Sequence, residues 1–303
     1  METRKIGSLD VTVVGLGCNN FGGRLDQDGT ARVLDAALDH GVTFWDTADL
    51  YGGTKSETLM GNLIKDRRDR IVLATKFGHP SGPTPHGARP EELRKALDAS
   101  LERLQTDRID IYQLHTPSKE VPVTDTLGAL GDLVKEGKIR EIGCSNFTVA
   151  QLDEAEREGK GVRFVSVQNE YSLFHRDDEK DVLPACERLG VAYIPYFPLA
   201  SGLLTGKYRK GQPHPEGTRI KADSDALSDA KLEAVERLAA WAGDHGKTVL
   251  DLAFAYLLSE KAVASVIAGA TKPEQVAANA GAAGWMLSSD EREEVAGLAR
   301  LSV

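Results

Sequence analysis

Arg70–His115 reads RIVLATKFGHPSGPTPHGARPEELRKALDASLERLQTDRIDIYQLH. Two β-prone runs, Ile71–Lys76 and Ile109–Leu114, enclose a Pro- and Gly-rich turn and then an amphipathic helical segment. Pro90 starts that helix without loss, because first-turn N–H groups have no partner inside a helix and the proline φ is already helical. A strand, a helix of this length and a second strand form the crossover that joins parallel neighbours in one sheet. Both strands finish on a polar residue, Lys76 or just beyond the second run His115.

The same alternation extends in both directions. Further strand candidates are Val13–Leu16, Thr43–Asp46, Ile142–Ser145, Val165–Gln168, Ala192–Tyr196 and Ser265–Ile267, which with the first two make eight units. Eight units point to a closed (β/α)8 barrel, of the TIM type, rather than an open doubly wound sheet. No GxGxxG opens a helix after a strand, which removes the main support for a Rossmann reading. Thr148 with Gln151 forms a capping-box pattern, and Thr271 with Glu274 repeats it. Lys5–Val14, with Gly7-Ser8 at its centre, reads as a hairpin plugging the barrel bottom. Ser201–Ser228 has little periodicity and few apolar anchors, and reads as a long functional or mobile loop, whereas Asp229–Gly243 reads as an extra helix before the seventh unit's own. Residues 1–303 are expected to form one domain.

A formal net charge of −9 and a pI near 5.4 argue against nucleic acid, whose binders cluster Lys and Arg. Cys18, Cys144 and Cys186 are far apart and form no metal-ligand spacing, so no metal is expected and the thiols fit a reducing compartment. No apolar run approaches the roughly 18 residues of a bilayer span, and a soluble, cytoplasmic protein is expected.

In a barrel of this kind, reacting groups sit where strands end at the upper face. Asp46 ends GVTFWD, Tyr51 follows in TADLYGG, Lys76 ends RIVLATK and His115 ends RIDIYQLH, all from the second, third and fourth strands. Singly, each has an ordinary reading: a loop cap, a packing residue, a lysine reaching water, a hydrogen-bonded histidine. Their convergence on one patch weakens all four. Hydride delivery to a carbonyl leaves an alkoxide that must be stabilised and protonated. Tyrosine is a weak acid with a pKa of about 10; the Lys76 cation is expected to lower that value, Asp46 to hold the ammonium, and His115 to donate to the carbonyl oxygen.

GVTFWDTADLYG, RIVLATKFG, RIDIYQLHTP, IREIGCSNF, VQNEYSL, YFPLASGLLTGKY and VIAGATKPEQVAANA occur in that order and together resemble the aldo-keto reductase family over nearly the whole chain. The resemblance implies the barrel with its hairpin plug, the tetrad Asp46, Tyr51, Lys76 and His115, and NADPH, with NADH possible, lying extended across the upper face. It implies that Ser145, Asn146 and Gln168 hold the nicotinamide carboxamide and that Tyr196 stacks on the ring. Phe197, Pro198, Leu199, Ala200, Gly202, Leu203 and Lys207 match the pyrophosphate loop. Gly269, Thr271, Lys272, Gln275 and Asn279 match the adenosine side, with Thr271 as helix N-cap near a phosphate. Lys207, Arg209, Lys210, Arg219 and Lys221 are candidates for the local positive charge that the whole chain lacks.

Two departures stand out. Gly269 and Gln275 occupy positions where many relatives carry a basic pair, leaving Lys272 as the segment's cation, and Thr116 replaces a frequent tryptophan after the histidine. Phe21, Phe77, His79 and Trp285 are candidate pocket walls. The function implied is reduction of a small-molecule aldehyde or ketone. A cofactor-binding regulatory subunit with little turnover is the alternative, and an aldolase using Lys76 as Schiff-base former is a third reading, opposed by Asp46.

Overall fold

The computed structural model describes residues 1–85 and 87–301. Strands β1 (Thr3–Ile6) and β2 (Leu9–Thr12) pair antiparallel, with Ile6 opposite Leu9 and Gly7 turning at φ +56°. The left-handed φ of Gly7 favours glycine, and the Glu141 carboxyl group packs where a Cβ would stand, 2.5 Å from the carboxyl carbon.

Eight strands follow, all parallel: β3 (Val14–Gly17), β4 (Phe44–Asp46), β5 (Val72–Phe77), β6 (Ile109–Leu114), β7 (Ile139–Ser145), β8 (Ser166–Glu170), β9 (Ala192–Tyr196) and β10 (Val266–Gly269). From β3 to β9 each pairs with the next in sequence, and β10 pairs with β3. Between β9 and β10 the ring is completed by a parallel bridge from Tyr193 to Val263, where Ala264 donates its N–H to the Tyr193 carbonyl at 2.9 Å.

Helices surround the ring. They are α1 (Gln27–Asp39), α2 (Lys55–Ile64), α3 (Pro90–Leu104), α4 (Val123–Lys135), α5 (Val149–Glu158), α6 (Val182–Leu189), α7 (Asp229–Asp244), α8 (Val249–Leu258), α9 (Pro273–Gly281) and α10 (Ser289–Leu298). The extra helix anticipated before the seventh unit's own is α7; α10 was not anticipated, although Ser288 and Glu291 form a complete capping box at its start.

Strand alternation explains both cores. Trp45, Leu73 and Tyr112 face outward into the large core beneath the helices, whereas Phe44, Ala74, Ile111, Ile194 and Ile267 face inward and meet Ile6, Leu9 and Val11 of the hairpin. Successive strand residues point to opposite faces, so the residue two positions after each inward one faces inward again, one layer higher. Asp46, Lys76, Gln113 and Tyr196 thus occupy the next layer, above the hairpin-sealed apolar one. Gly15 keeps this interior open on β3, for a Cβ there would lie 2.8 Å from Ile267 and 2.9 Å from Phe44.

Four sequence expectations shift. The hairpin is Thr3–Thr12, because Val14 is claimed by the barrel; β7 begins at Ile139, where it pairs with Ile109 of β6. Thr148 and Gln151 form their capping box, but Thr271 and Glu274 do not. The N-cap of α9 is Lys272; Gln275 instead reaches back, its Oε1 accepting from the Thr271 N–H at 2.7 Å. Finally, the long loop has apolar anchors after all, since Tyr208 and Ile220 are buried and His214 contacts the Ile220 carbonyl at 2.8 Å.

Candidate active site

The upper interior layer is polar, and its buried charges are paired. Lys76, with no exposed surface, donates from Nζ to Asp46 Oδ2 at 2.5 Å and to the Thr47 carbonyl at 2.8 Å, and lies 3.4 Å from the Tyr51 hydroxyl. The other Asp46 oxygen accepts from Gln113 Nε2 at 2.9 Å and Gln168 Nε2 at 3.0 Å. A buried ion pair is tolerable only when such bonds replace lost hydration. Burial pulls the Lys76 pKa down, but Asp46 and Tyr51 more than offset it and the net shift is upward, so the ammonium stays charged.

Tyr51 departs from the sequence expectation. Lys76 lowers its pKa, as anticipated, but burial is the larger influence and the net shift is upward. The hydroxyl therefore keeps its proton at neutral pH. His115 stands edge-on to Tyr51 with ring centroids 6.2 Å apart, and burial, then Lys76 and His79, push its pKa down to about 2. The imidazole is neutral. Its Nδ1 is buried without a hydrogen-bond partner among the described residues, leaving Nε2 for the cavity.

Beside this floor, Asn146 adopts φ +62° and is held from three sides: it donates to the His115 carbonyl at 3.0 Å and to Ser145 Oγ at 3.2 Å, and its Oδ1 accepts from Tyr196 at 3.0 Å. Ser145 donates to the Gln168 carbonyl at 2.7 Å. No hydrogen bond among the described residues reaches Gln168 Oε1, which remains an acceptor at the cavity wall.

A cavity of about 890 Å³ opens above, lined by Asp46, Tyr51, His115, Ser145, Asn146, Gln168 and Tyr196 at one end and by Gly269, Thr271, Lys272, Gln275 and Asn279 at the other. Phe197, Pro198, Leu199, Gly202 and Lys207 line it between them; Ala200 and Leu203 do not, Leu203 being turned into the core. Phe197, Ala200 and Ser201 all have positive φ, a conformation costly for side-chain-bearing residues and concentrated here in one cavity-lining segment. Lys76 does not itself line the cavity; Tyr51, whose hydroxyl is 3.4 Å from its Nζ, does.

The positive charge is distributed differently from the sequence expectation. Lys207 and Arg219 line the cavity, whereas Lys210 is paired with Glu233 at 2.6 Å and Asp229 at 3.2 Å. A third cation, Arg24, joins them and was not foreseen; it donates to the Gly217 carbonyl at 2.6 Å, tying the β3–α1 connection to the long loop. Among the described residues no carboxylate pairs with Arg24, Lys207, Arg219 or Lys272. Burial and the Arg24 charge lower the pKa of both Lys207 and Arg219, a sign of cations crowded without an anion.

Of the aromatic walls anticipated, only His79 faces the cavity. Phe21 is buried, Phe77 stacks on Tyr112 at 4.4 Å, and Trp285 stacks on Trp241 at 5.9 Å. Gln113 was also missed, though counting by twos from Ile109 finds it. Asp49 is a further unforeseen feature: burial and then the Glu57 charge raise its pKa to about 7, against the pull of Arg103 and Thr84. No metal-binding cluster of His, Cys, Asp or Glu occurs among the described residues.

Comparison with known proteins adds a family. The model of the Aldo/keto reductase family matches residues 13–300. The chain is 32% identical to aldo-keto reductase YhdN of Bacillus subtilis over 300 residues, covering 95% of this chain and 89% of that one. It is 35% identical over 311 residues to the aldo-keto reductase yakc [NADP(+)] of Schizosaccharomyces pombe, covering 97% and 90%. An aldo/keto reductase from Klebsiella pneumoniae, solved in complex with NADP and acetate, superposes with a TM-score of 0.79 at 30% identity, covering 95% of this chain and 92% of that one.

Proposed function

The chain belongs to the aldo/keto reductase family, and we propose that it reduces an aldehyde or ketone to the alcohol with NADPH, Tyr51 giving the proton. The observation that carries this reading is the Lys76 ammonium, bound to Asp46 at 2.5 Å and 3.4 Å from the Tyr51 hydroxyl.

The cavity's donor set suits a dinucleotide: unpaired Arg24, Lys207 and Arg219 for the pyrophosphate, Lys272 for a 2′-phosphate, and Ser145, Asn146 and the free Gln168 Oε1 for a carboxamide. NADPH is favoured over NADH by Lys272 alone, consistent with the NADP in the names of the yeast and Klebsiella relatives. When bound, the nicotinamide supplies the hydride.

The chain's own residues then handle the oxygen. Neutral His115 polarises the carbonyl through an N–H without surrendering its proton. As negative charge develops on that oxygen, Tyr51 transfers its proton, and Lys76 stabilises the phenolate left behind. The ammonium need not move or shed water at that moment, because Asp46 and the Thr47 carbonyl already hold it. The whole of residues 1–303 is read as one domain. The free, buried Cys18, Cys144 and Cys186 support a cytoplasmic location, and no described helix is long and apolar enough to cross a membrane.

The test is cofactor oxidation with an aldehyde panel, wild type beside Tyr51→Phe. Wild-type turnover that Tyr51→Phe loses supports the reading; a wild type that binds NADPH and consumes none rejects it.

A further inference from the structure

His79 is a cavity-facing imidazole that the proton chemistry leaves unused. It stands at the end of the Lys76 strand, its centroid 4.9 Å from that of His115 at an interplanar angle of 61°. The backbone N–H of Ser81 donates to His79 Nδ1 at 3.1 Å. Accepting that bond requires the Nδ1 lone pair, so the ring carries its proton on Nε2. No hydrogen bond among the described residues reaches this Nε2. A turn in the 78–82 segment thus fixes the tautomer of a histidine whose remaining function is to donate.

The surroundings decide what it donates to. His115 stands beside it and Thr116 lines the same cavity, a hydroxyl where an indole is frequent in similar chains, while Phe21 and Phe77 are buried in the core. An apolar or aromatic substituent reaching this wall would leave the His79 N–H desolvated and unpaired, which is costly. An oxygen there would satisfy it. His115 serves the reacting carbonyl, and the ring next to it, one centroid spacing away, is placed for an oxygen on the adjacent carbon.

Resting on the reduction proposed above, we infer that His79 is a specificity-determining residue that donates from Nε2 to an oxygen next to the reacting carbonyl, selecting α-hydroxy and α-dicarbonyl substrates over their hydrocarbon counterparts. Sites built to hydrogen-bond a polar group discriminate against analogues that lack it more strongly than apolar pockets discriminate by size.

The experiment compares kcat/KM, with NADPH, for two matched pairs: DL-glyceraldehyde with butanal, and 2,3-butanedione with 2-butanone. Oxygenated carbonyls are intrinsically more electrophilic, so the readout is the ratio of wild type to variant for each compound, in which that difference cancels. His79→Phe keeps a ring and removes the donor; His79→Gln restores a donor. In His79→Phe the oxygenated member should lose about tenfold more than its partner, the equivalent of one hydrogen bond, and His79→Gln should recover most of it. An equal loss on both members, or none, overturns the assignment while leaving carbonyl reduction intact. 4-Nitrobenzaldehyde separates the two levels: a wild type unable to reduce even this activated aldehyde rejects the reduction itself, and the role of His79 with it.

Discussion

The floor of the cavity and its rim solve opposite electrostatic problems. On the floor, Asp46, Lys76, Gln113 and Gln168 are buried and mutually bonded, and one cation meets one carboxylate. Along the rim, Arg24, Lys207, Arg219 and Lys272 have no carboxylate partner among the described residues, in a chain whose formal net charge is −9. A paired, desolvated site is complete before any ligand arrives and can act on a developing charge without reorganising. An unpaired cluster is complete only when an anion binds. On the proposed reading, chemistry belongs to the floor and ligand affinity to the rim, and each expected outcome tests that division.

The largest effect belongs to the floor. Tyr51→Phe should lower carbonyl turnover by about 10²–10⁴-fold, the range for general acid help, while NADPH affinity by fluorescence titration changes little. A matching loss of affinity would erase the division. Lys76→Met should also abolish turnover and in addition strand the buried Asp46 charge, destabilising the fold by about 3–5 kcal/mol; denaturant unfolding measures this, and a variant as stable as wild type would show that Asp46 is not held as an ion pair.

Rim variants should do the reverse. Lys207→Ala and Arg219→Ala are each expected to weaken NADPH binding about tenfold, one charge-assisted hydrogen bond's worth, with turnover nearly restored at saturating cofactor. The salt dependence of binding should become shallower. Arg24→Ala should also speed proteolysis between 206 and 224, since it releases the contact with Gly217. A loss in turnover at saturation would move these cations to the reacting end.

Lys272→Ala should cost less, a few-fold in the Michaelis constant for NADPH and almost nothing for NADH. The expectation is modest because Gln275 occupies the Thr271 N–H and Pro273 has none, which leaves fewer backbone donors beside Lys272.

Stability should also depend on pH, through groups outside the rim. Asp49 has its folded pKa raised from 3.8 to about 7, so the folded state holds a proton that the unfolded state releases, and stability from this group falls as pH rises between those values. His115, lowered from 6.5 to about 2, acts oppositely: the unfolded state binds the proton, and stability falls as pH drops below 6.5. Between pH 4 and 6.5 the two slopes oppose each other. Asp49→Asn should therefore expose a steeper acid decline in Tm and remove the decline from 6.5 to 8; an unchanged profile would mean that Asp49 ionises normally.

What sequence alone determined here follows from periodicity and chain direction. Eight β-prone runs separated by helical ones allow a right-handed, parallel, closing ring, and Asp46, Lys76 and His115 were legible because a strand's end lies at a known face of such a ring. The hairpin was legible from Gly7-Ser8, and the Thr148 cap from its spacing to Gln151. Tertiary structure decided whatever depends on distance between remote segments. Lys210 and Arg219 look alike in sequence, yet one meets Glu233 and the other the cavity. Arg24 gained its place only when β3 closed against β10 and the long loop crossed above it. Tyr51 departs from expectation for the same reason: pairwise attraction to Lys76 can be read from residue types, but desolvation depends on everything packed around a group, and here it is the larger influence.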